Sequence, residues 1–137
     1  MPFDTQPFMH TEDSIRNAPD EDYMNAAQLA FFRTKLLEMR EELLRREEQA
    51  RAELVDAEAG IDMNDRATHE EQAFLASALR EREQRELQEV ESALARVATG
   101  DYGWCERTGE PIGIPRLLAR PAARTTIRSP APMRQAA

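Results

Sequence analysis

The chain is short of several things at once. It has a single cysteine, Cys105, so no intramolecular disulfide framework can form. Aromatic residues make up only 6% of its 137 residues, which excludes a large aromatic core. Lys35 is the only lysine, and only two histidines, His10 and His69, are present. No apolar run approaches the ~18 residues that a membrane span requires. Residues Met1 to Asn17 hold no apolar core of a signal peptide, so a cytoplasmic protein without membrane contact is expected.

What is abundant is charge, at 32% of residues, with a formal net charge of −8. That balance argues against a protein whose task is to grip nucleic-acid phosphates, which needs a clustered basic surface. The sign is uneven. Pro111 to Ala137 carries five arginines and no acid, so that segment is +5 and the remainder −13. An acidic body with a basic tail suits an oriented contact with a partner of mixed charge. A solvated tail explains the charge equally well.

Two long stretches lack both glycine and proline. From Asn25 to about Ala59 helix formers dominate, and Leu29, Phe32, Leu36, Met39, Leu43 and Ala50 recur mostly at alternating steps of three and four. Asn25 is the expected N-cap. From Ala67 to Ala98 a second seam runs through Leu87, Val90, Leu94 and Val97, and it is expected to continue toward the turn through Ala73, Phe74, Ala76 and Leu79. Gly100 is the expected stop. Neither helix is apolar all round, so the economical solution is an antiparallel coiled-coil hairpin. Thirty-odd residues at ~1.5 Å each give an arm roughly 45–50 Å long, so its tip should project beyond a small body.

At that tip lies Gly60-Ile61-Asp62-Met63-Asn64-Asp65-Arg66-Ala67. Glycine and Asx residues serve a turn for backbone reasons, and Asp65 could simply cap the second helix. A turn at the end of a rod is also where a reaching device keeps its working residues. From Gly100 onward glycines and prolines punctuate a compact segment, with Tyr102, Trp104, Ile112, Ile114 and Leu117 as the expected core of a small head. Within it, Cys105-x-x-Thr108 and Thr126-x-x-Ser129 stand in the frame of a four-cysteine zinc site. One thiol among three hydroxyl residues cannot hold structural zinc.

Four motifs, in order along residues 20–129, resemble the DksA family of bacterial transcription regulators. They are Tyr23-Met24-Asn25-x-Ala27-Gln28-Leu29-Ala30-x-Phe32-Arg33, Asp62-x-x-Asp65-Arg66-Ala67, Gly103-x-Cys105-Glu106, and Ile112-Gly113-Ile114-x-Arg116-Leu117-x-Ala119-Arg120-Pro121. The sequence is most similar to the cysteine-poor branch, whose zinc finger has degenerated. The resemblance implies a mostly α fold. Residues 1–33 would form an N-terminal arm and part of the head, and 34–98 a coiled-coil hairpin with its tip at 60–67. Residues 99–129 would be the degenerate zinc-finger-like head and 130–137 a flexible tail.

The resemblance further implies a monomeric, non-enzymatic regulator that binds bacterial RNA polymerase through its secondary channel and reads no DNA sequence. Asp62, Asp65 and Ala67 would be the polymerase-contacting tip, Cys105, Thr108, Thr126 and Ser129 the former zinc positions, and no metal would be bound. Ribosomal RNA promoters would be repressed and some biosynthetic promoters activated, with the alarmone ppGpp as co-regulator. Arg82, Arg116 and Arg120 are candidates for ppGpp or polymerase-rim contacts. Glu89, Glu86 and Pro130 depart from the basic, apolar and lysine residues usual there, so either Arg85, Arg124 and Arg128 compensate or ppGpp dependence is reduced. Two alternatives stand beside this reading. A Gre-like transcript-cleavage stimulator would use Asp62 and Asp65 as magnesium ligands. A non-transcriptional coiled-coil adaptor would use the turn only as a cap. Cys105 is either a small buried residue or an oxidation-sensitive thiol.

Overall fold

The computed structural model describes residues 10–59 and 66–126, with side chains from 10–56 and 68–126. Its elements are α1 (Glu12–Arg16), a 3-10 turn (Asp20–Asp22), α2 (Ala26–Ala59), α3 (Arg66–Thr99) and α4 (Ile114–Ala119). Among the described residues there is no strand, only one antiparallel bridge between Trp104 and Pro111. Helices α2 and α3 contain 34 residues each and pack together as a hairpin. At ~1.5 Å per residue each is about 51 Å long. The chain divides into two compact units, a head unit (Met1–Leu37 with Ser92–Ala137) and a hairpin unit (Glu38–Glu91).

Local chemistry sets the helix ends. Asn25 caps α2, as its sequence position suggests: its Oδ1 accepts from Gln28 N at 2.9 Å. Gln28 reaches back in turn, its Oε1 accepting from Met24 N at 2.9 Å, which explains why this amide is buried in the core. Helix α3 ends at Gly100, whose φ of +88° favours glycine. Asp101 N donates to Arg96 O at 2.9 Å and Gly100 N to Val97 O at 3.3 Å, the paired bonds of a Schellman stop.

In the hairpin unit the seam of α2 follows its sequence period. Leu43 is buried, and Met39, Glu47 and Ala50 are half-buried. On α3, Val90 is buried and Leu87 half-buried, as the period requires. Farther along α3 the expected stripe is corrected. Ala73 is half-buried, but Phe74, Ala76 and Leu79 are exposed, and Arg80 and Glu83 take the facing positions instead. The heptad running back from Val90 through Leu87, Glu83 and Arg80 sets this register; charge pairing meets Glu83, while Arg80 Nε is buried with no hydrogen-bond partner among the described residues. Arg46 Nη1 donates to Glu83 Oε2 at 3.2 Å, and Arg40 Nε lies 3.3 Å from Glu91 Oε2. A cleft lined by Leu43, Glu47, Arg80, Glu83, Gln84 and Leu87 runs beside this pairing.

In the head unit Ile15, Phe32, Leu36, Ala93, Tyr102 and Leu117 are fully buried. Each large aliphatic or aromatic side chain of this kind contributes roughly 1.5–3 kcal/mol on burial. Phe32 and Tyr102 pack ring against ring at 5.6 Å, joining α2 to the segment after α3. Of the expected head core, Tyr102, Ile112 and Leu117 are buried and Ile114 is half-buried, but Trp104 is 38% exposed. Its ring meets the edge of Tyr23 at 5.3 Å and is otherwise turned outward, because the inner positions beside it belong to Gly103 and Cys105.

Candidate functional site

The loop between α3 and α4 is built by short-range turns on a glycine scaffold. Gly103 has φ +92°, and a Cβ there would meet Met24 Cγ at 2.7 Å, so only glycine lets the loop close on the start of α2. The Tyr23 hydroxyl completes the closure. It donates to Gly103 O at 2.6 Å and accepts from Gly113 N at 2.9 Å, tying both edges of the loop to one side chain. Burial raises the Tyr23 phenol above its usual range, so it stays protonated and able to donate. Tyr102 adds a bond to Pro121 O at 2.7 Å, and burial raises its phenol further.

Cys105 sits inside this loop and is only 3% exposed. Cys105 N donates to Glu110 O at 2.8 Å, and Gly109 N donates to Cys105 O at 2.9 Å, which curls the chain around the sulfur. Desolvation alone would push the thiol up. Hydrogen bonds from the Thr108 hydroxyl and from the backbone N–H groups of Thr126, Thr108 and Arg107 outweigh it, and the thiol titrates at about 6 instead of 9.0. The structure therefore brings three of the four frame positions, Cys105, Thr108 and Thr126, to one point. Ser129 lies outside the described residues.

This donor set does not suit zinc. Neutral hydroxyls are poor ligands, and among the described residues no group of three His, Cys, Asp or Glu side chains comes together. The Thr108 hydroxyl is also engaged as a hydrogen-bond acceptor, from Glu110 N at 3.2 Å. Polar contacts also close the loop. Glu106 N donates to Arg124 O at 2.9 Å, and the Glu106 carboxylate lies 3.8 Å from both Arg96 Nη1 and Arg124 Nε. Both arginines also donate to Ser92 Oγ, at 2.9 and 3.1 Å. Burial lowers the Arg96 pKa, and the charge of Glu106 opposes that shift. Sequence reasoning did not single out this Ser92–Arg96–Glu106–Arg124 cluster. Its members are 32 positions apart and no motif joins them.

The other predicted site residues are scattered. Asp62 and Asp65 lie outside the described residues, and Ala67 is the second residue of α3. Arg82 is exposed on α3 in the hairpin unit. Arg116 lies on α4 and Arg120 caps its C-terminus; Arg116 is half-buried and its Nε donates to Thr125 O at 2.9 Å. Arg116 thus has a structural duty, whereas Arg120, at the helix end, is exposed. Glu86 and Glu89 are exposed on α3, and Pro130 lies outside the described residues. No helix among the described residues is long and apolar enough to cross a membrane.

Fold and loop together define a class: a two-helix hairpin protein with a glycine-built, zinc-finger-like loop in its head, with no zinc ligand set among the described residues. Comparison with known proteins narrows this. Residues 28–97 match the family described as DnaK suppressor protein DksA, N-terminal domain, and residues 100–128 match the prokaryotic dksA/traR C4-type zinc finger. The RNA polymerase-binding transcription factor DksA of Caulobacter vibrioides is 40% identical over 115 residues, covering 83% of this chain and 81% of that one. Its counterpart from Escherichia coli K12 is 41% identical over 106 residues, 77% and 70% of the two chains. The structure of transcription factor DksA2 from Pseudomonas aeruginosa superimposes with a TM-score of 0.80 at 47% identity, over 85% of this chain and 91% of that one. The chain belongs to the DksA family.

Proposed function

We propose that this protein is a cytoplasmic transcription regulator that binds bacterial RNA polymerase as a monomer. In this reading the hairpin enters the secondary channel and its tip, Asp62, Asp65 and Ala67, contacts mobile elements near the active site. Open complexes of short lifetime, such as those at ribosomal RNA promoters, are destabilised, and some biosynthetic promoters are activated. The protein acts by binding and not by catalysis, and it reads no DNA sequence. The observation that carries the reading is the match of both family segments in order along one chain, 28–97 and then 100–128, to relatives named as RNA polymerase-binding transcription factors.

The head holds no zinc in this account. The donor set at Cys105, Thr108 and Thr126 supports that, and the loop is closed by the Tyr23 and Glu106 contacts. The alarmone ppGpp acts as co-regulator at the polymerase interface. The exposed guanidinium groups of Arg82 and Arg120 are suited to phosphate contacts, since these depend on cations. Arg116 has one nitrogen already bonded within the head.

Multiple-round transcription from a ribosomal promoter, with and without ppGpp, tests the reading. The native protein should inhibit, more strongly with ppGpp, and Asp65→Asn should inhibit far less. Equal inhibition by both proteins sinks the tip mechanism. Shortening of RNA in a backtracked complex points instead to transcript cleavage.

A further inference from the structure

Near the tip end of α3 the hairpin unit turns its amphipathic pattern inside out. Arg80 and Glu83 occupy half-buried positions facing α2, while Phe74, Leu75 and Leu79 are 72%, 61% and 45% exposed. Nothing in the helix requires this. Glutamate, glutamine or arginine would serve helix formation equally well at those positions. Leu75, Leu79 and Arg82 recur at i, i+4 and i+7, so they line one stripe, with Phe74 and Ala78 beside it. Glu71 stands one turn before Leu75, so the stripe runs from acid through two leucines to base. A cluster of large exposed apolar side chains rimmed by charge is the mark of an interaction surface.

Charge selects what covers it. From Glu38 to Glu91 there are eight arginines and seventeen carboxylates, a formal charge of −9, while the rest of the chain is +1. Two such hairpin units repel one another, and a nucleic-acid backbone repels either of them. The complementary surface is a protein face with an apolar centre and a rim of lysine or arginine. We propose that Phe74, Leu75 and Leu79 form the apolar anchor by which α3 docks on such a face of RNA polymerase. This rests on the polymerase being the partner. The anchor is distinct from the tip carboxylates: the leucines supply affinity, and the ends of the stripe, Glu71 and Arg82, fix its direction.

The test is an equilibrium titration of core polymerase with the native chain and with the double variant Leu75→Ala/Leu79→Ala, at low and high salt. Sedimentation velocity of both proteins accompanies it. Alanine is the best helix former and both sites are exposed, so helicity by circular dichroism should be unchanged. The variant should bind roughly tenfold or more weakly, as expected for removal of two anchor side chains. High salt should weaken both proteins by the same factor, because the rim and not the leucines carries the charge. Equal affinity of the two proteins overturns the anchor, and absence of any salt effect overturns the cationic rim. Self-association that disappears in the variant with polymerase affinity unchanged assigns the stripe to a second copy and also overturns it. If the native chain itself fails to bind polymerase, the proposed function falls and the anchor falls with it.

Discussion

Cys105 is buried in the head and held there by hydrogen bonds. Its sulfur lies at the point where the loop and the segment before residue 127 meet, and it accepts hydrogen bonds from the Thr108 hydroxyl and from N–H groups on both sides. A thiol that titrates at about 6 when folded and at 9.0 when unfolded stabilises the fold in its ionised form. That contribution is complete above about pH 9, shrinks as the pH falls toward 6 and is gone below it. Chemical denaturation under reducing conditions should therefore show stability rising from pH 6 to 9, and Cys105→Ser should flatten the rise. A second test at this scale is Tyr102→Phe, which leaves the half-buried Pro121 carbonyl without its donor and should cost about 1 kcal/mol. The Cys105 frame was visible in the spacing, but the family resemblance was needed to give it meaning. The direction of Trp104 was not, because an aromatic residue in a glycine-rich loop reads as core until the neighbours that claim the inner positions are known.

Among the elements, the hairpin shows where periodicity speaks and where it falls silent. On α2 every expected seam position, from Leu29 to Ala50, is at least half-buried. On α3 the seam is legible from Leu87 onward and misread before it. Phe74 and Leu79 invite assignment to the core by hydrophobicity, but the register fixed at Val90 puts Arg80 and Glu83 there. A glutamate held by Arg46 is invisible to an apolar pattern. Mutations should separate the two classes. Leu43→Ala, on the buried seam, should lower stability by about 2–5 kcal/mol, whereas Leu75→Ala should change it by no more than about 0.5 kcal/mol. Asn25→Ala, removing the cap of α2, should cost about 1 kcal/mol. Thermal and urea denaturation followed by circular dichroism would measure all three.

At the scale of the whole molecule, the two family segments sit in one chain as a hairpin and a loop-built head, and the head is closed by side chains. The Tyr23 hydroxyl and the Glu106 carboxylate link separate segments, Tyr23 reaching Gly113 across 90 positions. A head closed in this way should be indifferent to metal. Purified protein should contain no stoichiometric zinc, and a strong chelator should leave its melting temperature and its effect on transcription unchanged. The measurement that bears most directly on the central claim is the lifetime of the open complex at a ribosomal promoter. It should be taken with saturating native protein and with Asp65→Asn brought to equal polymerase occupancy. The native protein is expected to shorten the lifetime several-fold, while the bound variant leaves it near that of polymerase alone. An unchanged lifetime with the native protein, or equal shortening by the two, would contradict it.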